Sequence, residues 1–257
     1  LKVEWVSALA EAIRSGLSVV SGLHRKLSEE PELVKAAAAS GQQLIDIRVP
    51  PASISIATGR RRSGKRLLMV GTDCCVGKKY SALSLHKALK ERGIAATFRA
   101  TGQTGILIAG RGIPMDAVVS DFLSGAAEML TPDAATDHWD VIEGQGSLFH
   151  PAYAAVTLGL LHGSQPDAMV LCHGVGRTVI DEYEDYPVPD LRDCVAQYEQ
   201  AARVTNRVSS IVGISLNTQG LSDDEAVRAC RDNSTLTGLP CVDPMRHALD
   251  SILDALL

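Results

Sequence analysis

The feature that most constrains this chain is Leu67-Leu68-Met69-Val70-Gly71-Thr72-Asp73-Cys74-Cys75-Val76-Gly77-Lys78-Lys79, an apolar run, a loop bounded by glycines, and lysines opening a helix. This is the order of a phosphate-binding loop. Gly71 and Gly77 let the backbone amides curl inward around an anion, the helix N-terminus adds its dipole, and Lys78 adds a full positive charge. Gly71, Thr72, Asp73, Cys74, Val76, Gly77, Lys78 and Lys79 are therefore candidate cofactor-binding residues.

The rest of the chain supplies the sheet that such a loop needs. Strand patterns at Leu67–Gly71, Ala95–Ala100, Trp139–Glu143, Ala168–Cys172 and Ser210–Leu216 alternate with helical patterns, among them Lys78–Arg92 and Met115–Leu130. The alternation predicts an α/β fold: a doubly wound, mostly parallel sheet of P-loop NTPase type. Upstream, a helix on Val3, Val6, Leu9, Ala10 and Ile13 closes at Gly16, followed by a short strand at Leu17–Ser21, a helix at Pro31–Ala39 and a strand at Leu44–Val49. The chain begins at Leu1 with no strand before that helix, so this unit is expected to be the C-terminal part of a small, truncated α/β domain. Pro50, Pro51 and the basic run Gly59–Arg66 mark a boundary, giving domains at 1–58 and 59–257. The basic run itself reads as a solvated linker.

Charge narrows the partners. Against 25 Lys and Arg stand 30 Asp and Glu, a net charge of −5, so the basic footprint of a nucleic-acid binder is missing. No apolar run approaches the ~18 residues of a membrane span. The expectation is a cytoplasmic homo-oligomer acting on small molecules, with neither nucleic acid nor membrane as a partner. The six cysteines lack the paired spacing of a zinc site or disulfide framework, and four of them read as small core residues.

Ligands of open parallel sheets sit beyond the carboxyl ends of the strands. After Ala95–Ala100 come Gly102-Gln103-Thr104-Gly105, a ligand loop in which Gln103 and Thr104 offer polar groups. The next strand ends in Glu143, followed by Gly144, Gln145, Gly146, Ser147 and, further on, His150-Pro151. Glu143 suits a proton acceptor for an amine, or else a partner of Lys78 or a backbone amide. His150 suits a proton shuttle, or else a cap for the helix that Pro151 opens. Beyond Cys172 lie His173 and Arg177; the guanidinium matches a carboxylate bidentately, or pairs with the acidic run Asp181, Glu182, Glu184 and Asp185. Asn217 and Asp243, at two further strand tips, suit base and ribose contacts.

The loop departs from the usual P-loop in two ways. Five residues separate Gly71 from Gly77, one more than usual, and Lys79 stands where Ser or Thr normally holds magnesium. The spacing resembles that of dethiobiotin synthetase and its relatives. A lysine ammonium cannot coordinate Mg²⁺, which makes Mg²⁺ doubtful as a cofactor and favours a ligand whose phosphates are held and not broken, such as coenzyme A. The alternatives are an ATP- and Mg²⁺-dependent ligase or kinase, with the metal on Asp73 and Glu143, and a nucleotide-binding protein without chemistry.

Taken together, Gly-Thr-Asp-Cys-Cys-Val-Gly-Lys-Lys, Arg-Ala-Thr-Gly-Gln-Thr-Gly, Glu-Gly-Gln-Gly-Ser-Leu-Phe-His-Pro-Ala-Tyr and Leu-Asn-Thr-Gln-Gly-Leu-Ser resemble the D-glutamate N-acetyltransferase family. The resemblance covers nearly the whole chain, including Val20–His24. It implies a Rossmann-like portion before the P-loop domain and acetyl transfer from acetyl-CoA to the amino group of D-glutamate. In such a reaction Glu143, His150 and Arg177 are the candidate catalytic residues: Glu143 or His150 takes the ammonium proton, and Arg177 clamps a carboxylate. Amides around Gly144 and Gly146 polarise the thioester carbonyl. The candidate substrate-binding residues are Gln103, Thr104, Gly144, Gln145, Gly146, Ser147, His173 and Arg177, and no metal is expected. Cys74 and Cys75, in a loop wrapped around phosphate, are not expected to carry the acyl group.

Overall fold

A computed structural model describes residues 1–257. The chain opens with α1 (Val3–Arg14), β1 (Val19–Ser21), α2 (Pro31–Ser40) and β2 (Leu44–Asp46). β1 and β2 pair in parallel, and Ala10, Ile13, Leu33, Ala36 and Ala37 bury against one another beneath them. Pro31 starts α2 at a position whose N–H has no helical partner, and Gly41, in the left-handed region, stops it.

The larger part follows as β3 (Lys65–Gly71), α3 (Lys78–Glu91), β4 (Ala96–Arg99), α4 (Gln103–Ala109), α5 (Leu123–Leu130), β5 (Trp139–Ile142), α6 (Ala154–Ser164) and β6 (Ala168–Gly174). A short antiparallel hairpin, β7 (Val179–Ile180) and β8 (Tyr183–Pro187), precedes α7 (Leu191–Arg203), β9 (Ser210–Asn217), α8 (Asp223–Thr237), β10 (Cys241–Val242) and α9 (Asp250–Leu256). Six of these strands form one parallel sheet in the order β10-β9-β6-β3-β5-β4. β3 reads as an unbroken apolar run because both its faces are covered. Leu68 and Val70 join the core beneath α5, α6 and α7, while Leu67 and Met69 join the core beneath α3 and α9, as the two-residue period of a strand requires. From β3 the chain runs out to β4 at the edge, back to β5, and then across to β6 on the other side of β3. The loops after β3 and β5 therefore flank the reversal in strand order, where such sheets bind ligands.

Three expectations need correction. The ligand loop expected at Gly102–Gly105 is the start of α4, and the single helix expected over Met115–Leu130 is two short 3₁₀ turns at Met115–Ala117 and Ser120–Phe122 leading into α5. Gly105 hid the helix: a Cβ there would lie 2.1 Å from Glu143 Oε2, so a poor helix former occupies its first turn for lack of space. The basic run is not a solvated linker. Arg62 and Arg66 are buried: Arg62 Nη2 donates to the carbonyls of Gly163 (2.7 Å) and Ser164 (3.1 Å), and Asp167 Oδ2 accepts from the Arg66 amide at 2.8 Å. With Arg61 also paired to Asp167 and Arg60 to Asp133, the run ties together the amino ends of β3 and β6, the sheet edge opposite the phosphate loop. Cys172, Cys194, Cys230 and Cys241 are buried, as expected of four core cysteines. No helix is long and apolar enough to cross a membrane.

Candidate active site

β3 delivers the loop from Gly71 to Gly77 and α3 carries Lys78 and Lys79 on from it. The side chain of Lys78 turns back under the loop, where Nζ donates to the Asp73 carbonyl at 2.7 Å. Burial pulls its pKa down. Lys79 lies over the Tyr80 ring, 4.6 Å from its centroid. Behind the loop stands Tyr198 of α7, fully buried: its hydroxyl donates to the Gly71 carbonyl (2.7 Å) and accepts from the Leu148 amide (3.1 Å). One hydroxyl thereby joins the loop after β3 to the loop after β5.

Glu143, at the tip of β5, is buried in the wall of a cavity of about 390 Å³. Oε2 accepts from the amides of Thr101 (2.9 Å) and Gly102 (3.0 Å), whereas Oε1 has no hydrogen-bond partner within the chain. Burial raises the carboxyl pKa; the two amides, Lys79 and Lys78 oppose that rise without cancelling it. The backbone-amide alternative for Glu143 therefore holds for one oxygen and leaves the other available. Cys74, Gly77, Lys78, Lys79, Gln103, Thr104, Gly144, Gln145 and Gly146 share the cavity with it, as do Cys75, Tyr80, Arg48 and Asp116. A second cavity of about 310 Å³ adjoins at Gly77 and Tyr80 and is walled by Val76, Asn217, Gln219, Asp243, Met245 and Arg246. In it Asn217 Oδ1 accepts from the Gln219 amide (3.0 Å), leaving its amide nitrogen for a ligand. Asp243 is committed to Thr218 and to the Met245 amide.

Other expected residues lie outside both cavities. Gly71 and Thr72 are buried beneath the loop, and Thr72 Oγ1 meets His173 Nδ1 at 2.9 Å; burial lowers the His173 pKa. Ser147 is fully buried and holds the Phe149 amide at 3.2 Å, a fold contact and not a ligand contact. His150 is buried between the rings of Tyr153 and Tyr183, its Nδ1 accepting from the Ala152 amide at 3.1 Å, and the helix beyond Pro151 begins only at Ala154. Arg177 is not an open clamp: its Nη1 lies 3.0 Å from both Asp73 Oδ2 and Asp181 Oδ1, so half of the surface-pair alternative holds.

Asp73, Cys74 and His150 place potential metal-binding atoms within 4.8 Å of one another. Asp73 is already occupied: Oδ1 takes the Cys74 amide, and Oδ2 takes Arg177 and the Asp181 amide. With a guanidinium on that carboxylate and Lys79 in the usual hydroxyl position, the donor set does not fit Mg²⁺.

Sequence reasoning missed Arg48, Asp116 and Tyr198. Arg48 falls inside the strand expected at Leu44–Val49, whereas β2 ends at Asp46 and leaves Arg48 beyond its carboxyl end.

Comparison with known proteins covers the whole chain. Residues 55–253 match the family described as a domain of unknown function, DUF1611_C, P-loop domain, and residues 1–50 match its partner, DUF1611_N, Rossmann-like domain. A protein of Tritonibacter scottomollicae named D-glutamate N-acetyltransferase is 50% identical over 98% of this chain and 76% of its own length. One of the same name from a Pseudoalteromonas species is 49% identical over the same shares. The crystal structure of a DUF1611 family protein from Anabaena variabilis superposes with a TM-score of 0.93 at 38% identity, over 100% of this chain and 76% of that one.

Proposed function

The chain belongs to the DUF1611 family, P-loop domain and Rossmann-like domain together, and on that premise we propose that it is a D-glutamate N-acetyltransferase that draws its acetyl group from acetyl-CoA. The names of the relatives at 50% and 49% identity support the reaction. The observation that carries the mechanism is Glu143: a carboxyl held by two amides, raised in pKa by burial, with one oxygen free in a cavity walled by two lysines.

The acceptor amine is an ammonium ion in neutral water and must lose a proton before it attacks. Glu143 Oε1 takes that proton, and its raised pKa suits the task. As the new N–C bond forms the thioester C–S bond breaks, and coenzyme A leaves as the thiol with the second proton from the nitrogen. Acetyl-CoA, when bound, supplies a thioester carbonyl; the loop through Gly144 and Gly146 lies on the same cavity wall to polarise it. Lys78 and Lys79 hold phosphates of the coenzyme. The two cavities adjoining at Gly77 suit a long, bent ligand, whose adenosine end meets Asn217 and Arg246 in the smaller one. His150 and Arg177 serve the loop: His150 packs beside Cys74, and Arg177 neutralises Asp73. Mg²⁺ takes no part, since Lys79 and the committed Asp73 leave it no ligand set.

The test is the loss of thioester absorbance from acetyl-CoA with D- and L-amino acids, with and without EDTA. D-Glutamate should support turnover and EDTA should leave the initial rate intact. Turnover only with ATP and Mg²⁺ would overturn the reading.

A further inference from the structure

Of the side chains that wall the larger cavity, Arg48 alone comes from the first 58 residues. We infer that Arg48 is the specificity residue for the acceptor, binding the side-chain carboxylate of D-glutamate, so that the N-terminal portion completes the active site. This rests on the acetyltransferase reading.

Arg48 is mostly buried and reaches away from its own portion onto α4 and the turn behind it. Its Nε donates to the Gly22 carbonyl, Nη1 pairs with Asp116, and Nη2 donates to the Gln103 side chain at 3.1 Å, while the Gln103 amide nitrogen donates to the Gly22 carbonyl at 2.8 Å. The approach is close: a Cβ on Gly22 would lie 1.7 Å from the Gln103 side-chain amide. A guanidinium has five N–H donors. Three are used, leaving one N–H on each η nitrogen, and release of Asp116 opens the whole fork to a carboxylate.

Position then assigns the ligand. Gln103 directly follows Gly102, whose amide holds Glu143 Oε2 at 3.0 Å. The guanidinium therefore bonds the neighbour of an anchor of the base, and Arg48 and Glu143 line one cavity, where a small amino acid with its amine at Glu143 would turn its carboxylate to Arg48. None of its contacts is with the phosphate loop, where Lys78 and Lys79 already supply charge for phosphates. Three cationic side chains face two carboxylates around the cavity, leaving an excess of positive charge for an anionic ligand. Asp116 keeps Arg48 paired when the acceptor is absent.

The experiment compares D-glutamate with its neutral isostere D-glutamine in the parent, Arg48→Ala, Arg48→Lys and Asp116→Asn, with acetyl-CoA affinity measured by calorimetry. Arg48→Ala should lower kcat/KM for D-glutamate about 10- to 100-fold, chiefly through KM. The D-glutamine value should move less than threefold, so the preference collapses. Arg48→Lys should fall between, and Asp116→Asn, which frees the fork, should lower the KM for D-glutamate. Acetyl-CoA affinity should stay within twofold in every variant. If Arg48→Ala does not fold, the lysine and asparagine variants decide. An unchanged D-glutamate to D-glutamine ratio, or a fall in coenzyme affinity instead, overturns the assignment. A parent that acetylates neither amino acid refutes the acetyltransferase reading itself, and this inference with it.

Discussion

Glu143→Gln separates the chemistry of the site from its architecture. The amide is isosteric, so its oxygen can still accept from Thr101 and Gly102, which hold Oε2 at 2.9 and 3.0 Å. What disappears is the oxygen that takes a proton. General-base catalysis contributes roughly 10²- to 10⁴-fold, so kcat should fall by that factor, about 3–5 kcal/mol of barrier, with acetyl-CoA affinity little changed. The pH dependence has a definite sign. Burial raises the carboxyl pKa above its ordinary 4.5, so parental activity rises with pH on a limb centred above that value, and the variant lacks the limb. Stability runs the other way. The folded parent binds the Glu143 proton more tightly than the unfolded chain does, so this group's contribution is fully present below pH 4.5 and is lost as pH rises through the folded-state pKa. The glutamine variant, with no charge to bury, should be the more stable protein at pH 8, and its advantage should vanish under acid. Initial rates across pH and urea melts at pH 4 and pH 8 check both halves. A variant retaining more than a tenth of parental kcat, or melting below the parent at pH 8, would falsify the assignment of Glu143 as a buried base.

Tyr198→Phe should destabilise the fold by about 2–6 kcal/mol in urea melts, because the Gly71 carbonyl and the Leu148 amide each lose a buried partner at about 1–3 kcal/mol apiece; a loss under 1 kcal/mol would mean that the hydroxyl does not hold the two loops. Lys78→Ala should weaken acetyl-CoA binding at least tenfold by calorimetry, and unchanged affinity would remove the phosphate role of the loop. Arg177→Lys, which loosens a contact to Asp73 and lies outside both cavities of the candidate site, should raise the KM for acetyl-CoA more than that for D-glutamate; the reverse pattern would return Arg177 to the acceptor.

The parts of this molecule that were legible in its sequence obey local rules. Leu67–Gly71 announces a central strand because a strand covered on both faces has no polar alternation to confuse it, and the glycines at 71 and 77 announce the P-loop that follows it. The strand-end rule also located Glu143, Gln103, Thr104 and Asn217 around the two cavities. It could not show orientation: Ser147 and Thr72 stand in the right loops with their side chains buried in the wrong direction. Pairings between distant segments left no local trace. Arg62 and Arg66 look like a solvated charge run until the segment Gly163–Asp167, about a hundred residues later, arrives beside them. Arg48 belongs to the same class, since its meaning depends on Asp116 and Gln103 from another part of the fold. α4 was hidden for the opposite reason, because the nearness of Glu143 dictates Gly105 against helix propensity.

Cys75 is the one exposed cysteine, and it sits on the cavity wall in the left-handed backbone region, while Cys74 is half-buried and Cys172, Cys194, Cys230 and Cys241 are buried. The protein thus carries its own reporter beside the proposed coenzyme site. An alkylating reagent should single out this thiol, and the slowing of that labelling by a bound ligand measures occupancy without any mutation. The same exposure shapes bench practice: an aromatic disulfide used to count released coenzyme thiols will also count, and modify, the enzyme at its own binding loop.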